Sequence, residues 1–214
     1  MLFRSMSSLQ LVDEESAQDL ATYLARARKV DDDADVRLQA VGDVLAAWTC
    51  VLPGHGLGSS GLVLGLRTFA LAEPVTSDRT VPIGAVTDRL ARGGTEIPEP
   101  PMTSHPTWRA LSPPRSGWEP VGTVAEADLR DAARAGITEV AQGAPDGSGS
   151  AAVADLRSRV WGRSTSTVPP VPAGTAFGLH VLGFLRPDAG AVARVHAMGP
   201  WTRLATDRGF VVAR

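Results

Sequence analysis

Apolar residues in this chain recur at helical spacing in some stretches and alternate with polar ones in others. In DEESAQDLATYLARARK, residues 13–29, Ala17, Leu20, Leu24 and Ala27 share one helical face. Its acids sit in the first turn and its bases in the last, which suits the helix dipole. The pattern then changes to period two. Val36, Leu38 and Ala40 alternate with Arg37 and Gln39, Gly42-Asp43 offers a turn, and Val44, Ala46, Trp48, Cys50 and Leu52 fall on one side. That reads as a β-hairpin. A third strand is expected over 62–72, LVLGLRTFALA. A helix is expected from Pro82, with Ile83, Val86 and Leu90 inward and Gly93-Gly94 as its stop.

The second half begins irregularly, with Trp108 and Trp118 in TWRALSPPRSGWEPVG. Thr123-x-x-Glu126 has the form of a capping box, and Leu129, Ala133, Ile137 and Val140 make a helical stripe over 124–141. Shorter helices are expected over 150–161 and over 175–185, the latter apolar nearly all round and hence buried. AVARVHAMGPWTRLATDRGFVVAR then reads as strands with a tight turn at Asp207-Arg208-Gly209. No internal repeat is evident.

These elements predict an α+β protein. Its N-terminal lobe is a small antiparallel sheet with flanking helices, over 1–92. A Pro/Gly-rich bridge, GGTEIPEPPMTSHP at 93–106, leads to a helical C-terminal lobe, 107–214, of three helices and a β-hairpin. The two lobes can also share one core, in which case the bridge is a long loop.

Composition narrows the function classes. A hydrophobic fraction of 43% and a charged fraction of 21% are ordinary for a soluble globular protein. Cys50 is the only cysteine, which rules out an internal disulfide and a cysteine-based zinc site. The apolar runs are far shorter than the ~20 residues of a membrane span, and the first twelve residues make a poor signal peptide, so a cytoplasmic location is expected. Charge is unevenly spread. Residues 1–105 hold 9 basic and 14 acidic side chains, whereas 157–214 hold eight arginines against Asp188 and Asp207.

Few motifs suggest chemistry. PGHGLGSSG, residues 53–61, contains Gly56, Gly58 and Gly61 at the spacing of a dinucleotide-binding loop. Such glycines let backbone N–H groups and a helix N-terminus approach a pyrophosphate. That fold also needs a buried second strand ending in an acid. Asp78 is the best-placed acid, and LAEPVTS before it, with Pro74, cannot form such a strand. A turn between strands is therefore favoured, and a nucleotide-dependent enzyme is the weak alternative.

Asp31-Asp32-Asp33-Ala34-Asp35 resembles the spacing that binds magnesium-diphosphate, but between a helix and a strand it reads as a solvated acidic turn. The histidines, His55, His105, His180 and His196, form no zinc-binding pair. His180 and Cys50 read as core residues, and no nucleophile elbow is present. No catalytic residue, cofactor or metal is assigned.

Three helices followed by a hairpin is the element order of a winged-helix DNA-binding domain. The alternative reading is thus nucleic-acid binding through Arg157, Arg159, Arg163, Arg203 and Arg208. Against it, the third helix, TAFGLHVLGFL, carries no base-reading side chain. If Arg194 and Arg214 joined the others on one surface, a polyanion site would be supported.

SPPRSGWEPVGTV, RVWGR, GFLRP and GPWTRLATDRGFVVAR give the chain its resemblance to a family of conserved uncharacterised proteins of high-GC actinobacteria. The arginine bias fits such a genome, since Lys29 is the sole lysine among 21 basic residues. The resemblance implies a cytosolic housekeeping protein without an assigned activity. The favoured reading is a non-catalytic interaction or regulatory subunit whose partner is another protein or a second copy of itself.

Overall fold

The computed structural model describes residues 8–56, 58–98, 102–144, 149–188 and 190–214. The protein is α+β, with a mostly antiparallel sheet and a closing β-hairpin. Two compact units divide it. The first is 1–50 with 66–110, and the second is 51–65 with 111–214. The Pro/Gly-rich stretch 93–106 thus lies inside the first unit, and the chain passes to the second after Ala110.

In the first unit, α1 spans Glu14–Arg28 and starts where the Asp13 carboxylate accepts the Ser16 N–H at 2.7 Å. That bond to the charged form holds the Asp13 pKa below the ordinary value. Leu20, Tyr23, Leu24 and Ala27 face the core. Tyr23 is fully buried and its hydroxyl meets the Thr49 hydroxyl at 2.9 Å on β2, Asp35–Leu52, so α1 lies across that strand.

The sequence reading expects a turn at Gly42-Asp43, but β2 runs straight through it. Gly42 takes φ 65°. Before it Val36, Leu38 and Ala40 are buried; after it Leu45, Ala47, Thr49 and Val51 are. One residue in the left-handed region acts as a bulge and moves the core face from even to odd positions. The predicted stripe Val44–Ala46–Trp48–Cys50 therefore points away from that core face. β3, Val63–Pro82, is long enough to accompany the whole of β2, and its stretch around Pro74 is largely exposed. α2, Ile83–Leu90, follows Pro82 as expected. β4, Glu96–Pro98, pairs antiparallel with β1, Ser8–Gln10, two strands too short for periodicity to reveal.

In the second unit, β5 (Glu119–Ala125), β6 (Val192–Met198), β7 (Trp201–Thr206) and β8 (Gly209–Ala213) form an antiparallel meander. The start of β3 joins it beside β8, where Gly61 N–H donates to Arg214 C=O at 2.7 Å and Arg214 N–H to Leu62 C=O at 3.0 Å. β5 is the free edge.

Helices α3 (Glu126–Gly143), α4 (Ser150–Gly162) and α5 (Ala173–Val181) pack together, with α5 lying on β8. A Cβ on Gly178 would stand 3.1 Å from Val211 and 3.2 Å from Val63, so glycine sets the closeness of helix to sheet. The ring of Trp161 stacks on Phe177 with centroids 4.3 Å apart and lies against Gly136. This contact turns α3: Glu126, Leu129, Ala133 and Gly136 are its buried residues, and Ile137 is exposed.

The capping box is also absent. Thr123 belongs to β5 and the helix cap is Ala125. Glu126 is buried instead, its carboxylate accepting the Arg186 backbone N–H.

Candidate functional site

The glycine loop is the tip of the β2–β3 hairpin. His55 and Ser60 exchange backbone bonds of 2.9 and 3.0 Å, and Gly56 and Gly61 take φ 65° and 80°. Gly61 leads into β3 two residues later, and no helix opens there to receive a phosphate. The nucleotide-dependent alternative through Gly56, Gly58 and Gly61 is therefore corrected to a turn between antiparallel strands. Beside the tip, α4 helps to form a small, mainly apolar cleft of about 120 Å³, lined by Leu52, His55, Arg157 and Trp161 among others.

Other candidates hold no reactive grouping. Burial pushes the Cys50 thiol up to about 12, assisted by the negative charge of Asp31, so it stays a protonated and unreactive thiol. The acidic run is a turn between α1 and β2, where Asp33 N–H donates to the Asp31 carboxylate at 3.1 Å. Among the described residues no three His, Cys, Asp or Glu side chains gather as metal ligands. Among those residues, too, no helix is long and apolar enough to cross a membrane.

The winged-helix arrangement does not form. Its recognition helix would be α5, and Ala173 to Leu179 are all buried there. A helix enclosed on the sheet cannot enter a groove.

The candidate arginines divide into separate groups. Arg157 and Arg159 lie on α4 and Arg163 directly follows its last residue; Arg157 lines the cleft and Arg163 forms an exposed two-point ion pair with Glu139 of α3 at 2.5 and 3.1 Å. Arg208 occupies the β7–β8 turn, its backbone N–H bonded to the Thr206 hydroxyl at 3.2 Å. Arg203 lies on β7.

The register of the meander explains what surrounds Arg203. His196 is its direct neighbour on β6 and Val212 on β8, while Arg194 is two residues from His196 on the same strand face. Val211, which meets α5, pairs with Leu204 and Leu204 with Val195. Side chains alternate, so Arg194, His196, Arg203, Phe210 and Arg214 occupy the opposite face from the helices.

On that face the Arg203 guanidinium stands 4.7 Å from the Trp118 ring centre and 5.9 Å from that of Phe210. Arg214 lies 5.7 Å over Trp201. The Trp118 indole is fixed by donating to Pro114 C=O at 2.9 Å. These rings offer their negative faces to the cations.

No counter-charge completes the arrangement. Among the described residues neither Arg194 nor Arg203 has an ion pair. Arg203 Nε and His196 Nδ1 are buried without a hydrogen-bond partner. Desolvation, then the charge of Arg194, lowers the Arg203 pKa; desolvation, then Arg203 and Arg194, lowers that of His196. Sequence reasoning names Arg203 but misses the grouping with Arg194, His196, Trp118 and Phe210. The period-two spacing of Arg194 and His196 is its only local signal. The cross-strand register and the position of Trp118 are not visible in one strand.

Residues 5–110 match a family described as Domain of unknown function (DUF8010), and residues 113–214 match one described as Domain of unknown function (DUF8185). No curated protein sequence matches the chain. Solved structures are similar in fold. The DNA polymerase III subunit beta from Pseudomonas aeruginosa is 12% identical with a TM-score of 0.56, covering 97% of this chain and 63% of its own. A DNA polymerase III beta subunit from Eubacterium rectale is 8% identical with a TM-score of 0.60, covering 97% and 64%. That from Caulobacter crescentus is 10% identical with a TM-score of 0.56, covering 97% and 65%. This chain therefore spans a little under two thirds of the clamp chains it matches, and shares with them a fold.

Proposed function

We propose that the protein is a non-catalytic subunit that works through its surfaces, in the manner of a polymerase clamp subunit, and that it acts in the cytoplasm. The observation that carries this reading is the clamp-like path of the chain, which extends over 97% of its length. Its chemistry agrees: the sole thiol is held protonated, the glycine loop is a hairpin tip, and the most distinctive side-chain group is a cationic, aromatic sheet face.

Self-association has a physical route. β5 is a sheet edge whose residues Glu119 to Thr123 are exposed, with Val121 about half exposed. Unpaired N–H and C=O groups on an edge are a template for another strand. The test is sedimentation velocity of the full chain over a wide concentration range. Concentration-dependent assembly that Val121→Glu weakens supports the reading, because a charge on the edge opposes pairing. A monomer at every concentration opposes it.

A second reading, duplex DNA contact through α4, has one observation in its favour: Arg157 and Arg159 on one helix, with Arg163 just past its end, in a fold shared with DNA polymerase subunits. Binding to phosphates releases counterions and falls with salt, by about 0.9 in log K per contact and per log unit of salt. A gel-shift titration that shows this slope, lost in Arg157→Ala with Arg159→Ala, supports it.

A further inference from the structure

We propose that the sheet face centred on Arg194, His196 and Arg203 is a docking site for an acidic peptide segment of a protein partner, its carboxylates received by the two guanidinium groups. This deepens the interaction-subunit reading by naming the chemistry of the partner.

Charge marks this face first. Two arginines share one sheet face beside a histidine, and among the described residues no carboxylate is paired with either of them. Elsewhere in the same unit arginines are neutralised locally. Arg163 meets Glu139, and Arg186 meets Asp188 at 2.9 Å and Asp207 at 3.4 Å. Mutual repulsion on the sheet face is a standing cost that an arriving anion removes.

Desolvation marks it as well. Arg203 Nε and His196 Nδ1 have already lost water and gained no partner. An unsatisfied buried polar group costs a folded protein stability. A ligand carboxylate bound to the outer guanidinium nitrogens compensates part of that cost through charge-assisted bonds.

The cation is also preorganised. Trp118 and Phe210 hold the Arg203 guanidinium from their ring faces, so little side-chain freedom is lost when an anion binds. The same contacts favour peptide over single-stranded nucleic acid. Bases stack on free aromatic faces, and here the rings of Trp118, Phe210 and Trp201 already face guanidinium groups. Arg194, His196 and Arg203 also lie within one cross-strand step and its diagonal, a footprint suited to one or two carboxylates.

The experiment is fluorescence anisotropy of the full chain with a labelled hexaglutamate peptide and, in parallel, an oligothymidine of equal charge. Hexaglutamate is expected to bind more tightly. Arg194→Glu, at an exposed position that tolerates change, is expected to weaken it about tenfold or more, the scale of a lost charge-assisted contact. Arg203→Gln is expected to do the same. Arg203→Lys, which keeps the charge and loses the planar fork, is expected to fall between the wild type and Gln. Arg159→Gln on α4 is expected to leave binding unchanged. His196 ring resonances in NMR should titrate at higher pH once the peptide is bound.

Absence of hexaglutamate binding overturns the inference, as does binding insensitive to Arg194→Glu. Tighter oligothymidine binding through the same arginines replaces the peptide with nucleic acid and overturns it too. Sedimentation of the same samples separates the two proposals. Intact assembly without peptide binding removes this inference alone, and a monomer that binds peptide removes the self-association reading alone.

Discussion

The Arg37 and Arg67 sites of the first unit and the sheet face of the second use arginine differently. In the first, Arg37 meets Asp78 through two nitrogens at 2.8 and 2.6 Å, with Gln39 beside them, and Arg67 pairs with Asp19. Both of these cations are close to an acid, and the Arg37 pair holds the Asp78 carboxyl below its ordinary pKa. On the sheet face of the second unit, Arg203 and Arg214 rest on aromatic rings, and among the described residues neither Arg203 nor its neighbour Arg194 has an ion pair. Ion pairs at the surface add little stability but consume the charge locally. A ring contact by itself holds an arginine without neutralising its charge. The difference separates an arginine that serves the fold from one available to a partner.

The largest expected effect tests whether close helix packing supports that sheet. Gly136→Ala should destabilise the protein by about 1–3 kcal/mol, because the new Cβ lands in the Trp161 ring and overpacks the core. Gly84→Ala in α2 of the first unit meets nothing within 4 Å and should instead stabilise, by up to about 1 kcal/mol. Thermal melts of the two variants read the opposite signs directly. Equal effects would erase the packing contrast.

Removing an arginine from each unit gives a smaller contrast. Arg203→Gln should cost about 0.5–2 kcal/mol through the lost ring contacts, and relieve repulsion with Arg194. Arg37→Gln should cost about 0–1 kcal/mol, as a partly exposed ion pair does. Urea unfolding checks both. Only the first should change hexaglutamate binding.

The smallest effect lies in pH. Asp78 has a lowered pKa when folded, so its contribution is present above the unfolded value of about 4 and is lost as pH falls below it. His196 also has a lowered pKa when folded, so the unfolded chain takes up the proton first, and stability falls as pH drops through about 6.5. Two separate windows are expected in a stability–pH profile. His196→Gln should flatten the upper one and leave the acid one alone.

Much of the fold is legible where periodicity is local. α1, α2 and the closing hairpin follow from spacing, capping acids and turn residues. The bulge at Gly42 is not, because a glycine followed by an aspartate signals a turn as readily as a bulge, and only pairing with β3 decides. Likewise Ile137 keeps a helical period and is still exposed, since Trp161 chooses Gly136 as its contact. Short strands such as β1 and β4 are too brief to show a period. For the site, arginine content identifies the basic region, but three strands and the Trp118 segment must come together before Arg203 acquires its neighbours.

Sedimentation velocity of the full chain, with and without Val121→Glu, tests the central proposal most directly, that this is a subunit that assembles through the β5 edge of a clamp-like fold. The account predicts reversible assembly that grows from low-micromolar to hundred-micromolar protein and recedes when the β5 edge carries the new charge. A single monomer boundary at all concentrations, identical in the variant, would contradict it.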